Sequence, residues 1–315
     1  MKSELAGRIM SGAALLILIV LVGAAIQPLK ARAADPTYQQ VENWGLPAGG
    51  VWGVMSAVGV DAKDNIFAFK RSDASQTTEP LSSKIMVFDS TGKLLRSWGE
   101  NFVGSAHGLR LDSNGFVWIT DKTGDQVFKF TANGELLMTL GKKGVAGGMD
   151  STDALNGPSD VVVAKNGDIF VSDGESSNAR VVKFAKDGKF IKTWGTKGSG
   201  PGQLNDPHSI ALDSAGRVYV ANRVNKRIEV FDSDGKYLDQ LPQFGAPSCI
   251  YITKDDTLYV SATAPENAVT IGTTDGKILG KISGLNGPHW VTVDSTGAVY
   301  VAEVPGMSLE KFVKK

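Results

Sequence analysis

Histidine and cysteine are the scarcest reactive residues in this 315-residue chain, with three of the first and one of the second. The lone Cys249 permits no internal disulfide, and in an alternating apolar stretch it reads as a small buried hydrophobe. Sustained helical periodicity is missing past residue 33, which excludes a helix bundle. A basic surplus is missing too, because 33 Lys plus Arg balance 33 Asp plus Glu. The first 33 residues hold four of those bases and one of those acids, which leaves 29 against 32, a net of −3, for residues 34–315. Nucleic acid is therefore excluded as a partner, since phosphate binding needs a basic face. The glycine-rich GSGPG at 198–202 is followed by no Lys-Ser or Lys-Thr pair and opens no helix, so it reads as a connecting loop, not a phosphate cradle.

Long apolar runs are limited to one. It extends from Ala13 to Ile26, after Lys2 and Arg8 and before Ala31-Arg32-Ala33. This order of charge, apolar run and small residues predicts a secretory signal over residues 1–33, cleaved after Ala33. An uncleaved anchor is the alternative, because the run with its flanks approaches a membrane span. Either way residues 34–315 are expected to be exported, periplasmic or secreted, and to meet a membrane only if the segment stays attached. A monomer is expected.

What the chain has in abundance is repetition. Segments starting at Ser56, His107, Ser159, His208, Ser248 and His289 share one pattern: an alternating apolar strand, a turn rich in Asp, Asn and Gly, and a second alternating strand. An aromatic residue holds one fixed place in the second strand: Phe67, Trp118, Phe170, Tyr219, Tyr259, Tyr300. A third strand and a fourth follow most units, often closing on Trp-Gly or Leu-Gly, as at Trp98, Leu140 and Trp194. Four antiparallel strands per unit, repeated about every 40 to 50 residues, predict an all-β, six-bladed β-propeller over residues 34–315. The last unit runs out of chain after its third strand. QVENWG, Gln40 to Gly45, resembles the fourth-strand endings LRSWG and IKTWG, so an N-terminal strand is expected to close the ring.

All three histidines fall at one repeat position, alternating with Ser56, Ser159 and Ser248. The first strand of a propeller blade lines the central channel. His107, His208 and His289 are thus expected to meet across a pseudo-threefold axis, as a divalent-metal site with an open position. The alternate serines leave room for the imidazoles; none is paired with a base in the sequence. Arg71 and Arg223 share a second register, just past the end of the second strand, where Lys122, Gly174, Thr263 and Val304 stand in the other units. That position faces the same channel mouth, so the arginines are candidates to bind a substrate carboxylate. Asp121, Asp173 and Asn222 recur at a strand end and read as hydrogen-bonding residues.

The units resemble NHL repeats. From about Val54 to Phe312, FKRSD, AHGLRLD, IFVSDG, GPGQLNDPHSIAL, NRVNKRIEVF and GPHWVTV are similar, in order, to segments of the peptidyl-α-hydroxyglycine α-amidating lyases. The resemblance implies zinc on His107, His208 and His289. It implies active-site arginines at Arg71 and Arg223, and a reaction that splits a peptidyl-α-hydroxyglycine into a peptide amide and glyoxylate. The implied partner is a small-molecule or peptide substrate with a carboxylate. The family tyrosine after SDG is replaced by Glu175, a candidate base, and the family methionine before the last histidine by Gly287. A family calcium would rest on the backbone of Val58 and Leu109, but its carboxylate position holds Trp290. Two other readings stay open. One is a non-catalytic exported propeller that binds a ligand or protein. The other is a hydrolase of the gluconolactonase-like group, which uses carboxylates and an asparagine around calcium where this chain offers histidines.

Overall fold

The computed structural model describes residues 37–47, 50, 52–71, 84–99 and 104–315. The expected signal or anchor over residues 1–33 lies outside the described residues. Among the described residues no helix is long and apolar enough to cross a membrane.

Each repeat folds as expected into a four-stranded antiparallel sheet, and six such sheets make the propeller. The blades span Met55–Trp98, Ala106–Leu140, Pro158–Trp194, Pro207–Leu241, Pro247–Ser283 and Pro288–Lys314. Their inner strands touch in succession around the ring, the first against the last included. The hairpin turns follow from the Asp residues in them: Asp61, Asp112, Asp213 and Asp294 each accept backbone N–H bonds from residues two and four positions on. The fixed aromatics of the second strands are all buried. Burial of each such ring is worth about 1.5–3 kcal/mol, so the repeated aromatic is a principal source of cohesion.

The ring closes through an N-terminal strand, but not with the residues expected. Tyr38–Val41 pairs antiparallel with Ser308–Lys314, Tyr38 opposite Lys314. Trp98 and Trp194 are the last residues of their strands, whereas Trp44 lies three residues beyond one, in a turn. Asn43 and Gly45 take left-handed backbone there, with φ of 56° and 63°, and end the strand. Trp44 packs on Phe88 and Tyr300, with ring centroids 5.8 and 5.0 Å away, and donates its indole N–H to the Ser90 carbonyl at 3.1 Å. It buttresses the seam between the first and last blades.

Candidate metal centre

A β-bulge builds the site. In all six inner strands the pairing register slips at the repeat position that carries Ser56, His107, Ser159, His208, Ser248 or His289. A bulged residue leaves the ladder and its side chain is re-aimed. Here the three histidines turn toward one another. The second blade slips by one residue more, skipping Gly108 as well as His107. Only glycine fits at 108: a Cβ would stand 2.7 Å from the Ser159 carbonyl oxygen and 2.9 Å from the Trp290 ring.

The three imidazoles converge, with ring centroids 4.7, 4.9 and 4.9 Å apart. Each is tethered by Nδ1 to the carbonyl oxygen of the serine one blade on: His107 to Ser159 at 2.7 Å, His208 to Ser248 at 2.5 Å, His289 to Ser56 at 2.6 Å. A carbonyl only accepts, so every Nδ1 carries the proton. Burial brings His107 down to about 4, against the opposing pull of the Glu175 carboxylate, and holds His289 well below the usual histidine range, with the neighbouring imidazoles adding to the effect. Near neutral pH both rings are therefore uncharged and their Nε2 atoms are bare lone pairs. One potential ligand atom from each histidine lies within 4.8 Å of the others.

Glu175 enters this cluster from the loop after Ile169–Asp173. The loop is pinned: the Gly174 and Glu175 N–H groups both donate to the Gly157 carbonyl, and Gly174 packs against Pro207 with no room for a Cβ. Glu175 Oε1 lies 3.0 Å from His208 Nε2, 3.7 Å from His107 Nε2 and 2.7 Å from Arg223 Nη2. Its Oε2 accepts from Lys122 Nζ at 2.5 Å. Burial alone raises its carboxyl, but interaction with His107 and His208 overrides this and holds it far below the usual carboxylate range. Arg223 is held in turn by Asp206 at 2.7 Å. Arg71 donates from Nε to the Ala106 carbonyl at 2.9 Å, and its charge reaches His107 and His289.

This donor set fits a cation. His208 Nε2 is fully buried and has no hydrogen-bond partner, although a carboxylate oxygen is 3.0 Å away. Two acceptors that close repel unless positive charge sits between them. Three imidazole nitrogens suit zinc, which binds nitrogen at about 2.0–2.1 Å and so places tetrahedral ligands roughly 3.3 Å apart. The residues do not fit calcium equally well. Trp290, at the implied carboxylate position, is fully buried between His107 and His289. The cation beneath it is Arg110, whose guanidinium lies 5.0 Å from the Trp290 ring and bonds Asp160, Ser209 and the Ile250 carbonyl.

All six sequence-derived site residues thus lie at one channel mouth. Lys122 was missed, although it shares the repeat register of Arg71 and Arg223. Asp206 was missed as well; nothing but its proximity to His208 in the chain marks it. Asp121, Asp173 and Asn222 hold the blade-connecting segments by accepting from Gly104, Asn156 and Asn205 N–H groups. Cys249 is buried in an inner strand, its thiol pushed up to about 11 by loss of solvent.

Comparisons with known proteins agree with this architecture. A family profile described as "DUF5128: 6-bladed beta-propeller" matches residues 152–267. NHL repeat-containing protein 3 of Homo sapiens is 34% identical over 253 residues, 73% of this chain and 72% of that protein. The Mus musculus protein of that name is 31% identical, over 90% of this chain and 86% of its own. A probable peptidyl-alpha-hydroxyglycine alpha-amidating lyase of Caenorhabditis elegans is 27% identical over 82% of each chain. Among solved structures, a streptogramin B lyase superposes with a TM-score of 0.62 at 15% identity, covering 90% of this chain and all of its own. A gluconolactonase from Xanthomonas campestris does so with the same score and identity, over 90% and 96%. At that identity these two speak for the fold alone. The chain belongs to the family of NHL repeat-containing protein 3, six-bladed β-propellers with lyase-like relatives.

Proposed function

We propose that this propeller is a metal-dependent carbon–nitrogen lyase acting on peptidyl-α-hydroxyglycine or a close analogue. The observation that carries the reading is the set of three Nδ1-to-carbonyl tethers, which turn three buried Nε2 atoms to one point beside two arginines. The lyase relatives at 27–29% identity lend the reaction class. Zinc, when bound there, would act as a Lewis acid and stabilise negative charge developing on the substrate hydroxyl oxygen.

The chain's own groups supply the rest. Arg223, with Lys122 beside it, binds the substrate carboxylate, and Arg71 adds positive charge on the opposite side of the histidines. Glu175 takes the hydroxyl proton. The oxygen–carbon bond gains its second pair as the N–Cα bond breaks, and the departing amide nitrogen takes up a proton. The products are a peptide amide and glyoxylate, with no change in overall oxidation state and no co-reactant. The charged and apolar pattern of residues 1–33 supports an exported location for this activity.

The test is glyoxylate release from a peptidyl-α-hydroxyglycine by zinc-loaded protein, beside His208→Ala. Release by the parent alone supports the lyase. No release by protein carrying one zinc per chain rejects it. That outcome would favour a second reading, a non-catalytic metal-holding propeller, for which the filling of the pocket by Glu175 is the specific support.

A further inference from the structure

We propose that Glu175 is a resident fourth ligand of the three-histidine centre, and that it occupies the cationic clamp a substrate carboxylate would use, so that the resting site is closed. The inference rests on the metal reading above, not on the lyase chemistry.

Three observations carry it. First, Oε1 stands 3.0 and 3.7 Å from two Nε2 atoms, which brackets the roughly 3.3 Å separation of neighbouring ligands on a tetrahedral zinc. Second, His208 Nε2 is fully buried with no well-formed hydrogen bond, although Glu175 Oε1 stands 3.0 Å away. A shared cation makes both atoms donors on one centre. Third, the carboxylate is fixed from behind by two cations, Arg223 on Oε1 and Lys122 on Oε2. Charge-assisted bonds of this kind orient a ligand as outer-shell partners do in metal sites.

The geometry also leaves little space. The three histidines are 1%, 0% and 7% exposed, and the Glu175 side chain 6%. A carboxylate arriving from solvent meets Lys122 and Arg223 first, which are 35% and 29% exposed. By taking over their bonds it releases Glu175 from the clamp. Released in this way, Glu175 is free to turn toward the substrate hydroxyl. A pocket built for a carboxylate-bearing substrate thus carries its own carboxylate as a plug.

Cobalt(II) reports coordination without any substrate. Parent, Glu175→Gln and Glu175→Ala proteins are loaded with cobalt, checked for one metal per chain and for native circular dichroism, and titrated with acetate. The parent should show the strong visible bands of four-coordinate cobalt and should respond to acetate only at concentrations well above those that saturate Glu175→Ala. Glu175→Ala should respond saturably, as acetate enters the vacated position between Arg223 and the metal. Glu175→Gln should bind cobalt at least about tenfold more weakly than the parent, the size of effect seen when a site's supporting groups are lost. Equal spectra and equal acetate response in parent and Glu175→Ala would overturn the inference. Failure of the parent to take up cobalt would overturn it together with the metal site, whereas a negative glyoxylate assay beside a positive cobalt result rejects the lyase alone.

Discussion

His107 Nδ1 lies 2.7 Å from the backbone carbonyl of Ser159 in the next blade, and the same bond recurs from His208 to Ser248 and from His289 to Ser56. The serine is therefore more than a small spacer. Its carbonyl selects the tautomer of the preceding histidine and points Nε2 at the axis.

Metal should stabilise the fold through those nitrogens. A ligand present at a thousand times its dissociation constant adds about 4 kcal/mol, which moves Tm by roughly 7 °C in a domain of this size. Zinc should raise the Tm of the parent by that order and excess EDTA should reverse it. His208→Ala should melt at the same temperature with zinc and with EDTA. Differential scanning calorimetry of both proteins checks this; a zinc response in the variant equal to the parent's would count against a three-histidine site.

Gly108 tests whether the wider bulge matters. A methyl group there meets the Ser159 carbonyl oxygen at 2.7 Å and the Trp290 ring at 2.9 Å. The same carbonyl holds His107. Gly108→Ala should cost about 1–3 kcal/mol by overpacking and also weaken metal binding. Gly280→Ala is the control, since its Cβ would find only Ile271 Cδ1, at 4.0 Å. Urea midpoints should fall for the first and hold or rise slightly for the second.

Much of this was legible because a repeat turns three-dimensional equivalence into sequence register. The Ser and His alternation, the aromatic at Phe67 and its counterparts, and the ring of six blades all follow from counting. The bulges do not, although Pro158, Pro207, Pro247 and Pro288 each precede a bulged residue; a proline marks a strand start as readily as a slip, and the demand for Gly108 is visible only beside Trp290. Glu175 was found as a departure from a family pattern, but its clamp was not. Lys122 and Arg223 stand in different blades, and what brings both to one carboxylate is the path of the loop pinned under Pro207. The expectation for Trp44 went astray because Trp-Gly marks a packing position, which a turn can fill as well as a strand.

Arg110 and Asp160 should be costly to separate. Asp160 is fully buried, accepts two bonds from Arg110, and also accepts from the Val161 and Ile210 N–H groups and the Ser209 hydroxyl. Removing one partner of such a pair strands a buried charge and costs about 3–5 kcal/mol. Arg217 with Asp213 is the comparison, because its arginine is 42% exposed and solvent screens the pair; it should contribute less than about 1 kcal/mol. Denaturant unfolding of Arg110→Ala and Arg217→Ala should therefore differ by several kcal/mol. Near-equal losses would show that the channel pair is solvated.

Cys249 sets an alkaline limit. Its thiol is fully buried and pushed up to about 11, by burial first, with the Arg110 charge opposing. The native chain then keeps the proton where the unfolded chain, titrating from the ordinary value of 9.0, has lost it. With the unfolded state binding fewer protons, stability falls as pH rises. The contribution is intact below pH 9.0 and is lost as pH passes through about 11. Between those values the parent should lose stability relative to Cys249→Ala, measured by urea unfolding at each pH. At pH 8 the native thiol should also resist a disulfide-exchange reagent that labels it at once in urea, because attack requires both the thiolate and access. Fast labelling of the folded protein would mean that the inner strand opens far more readily than its burial implies.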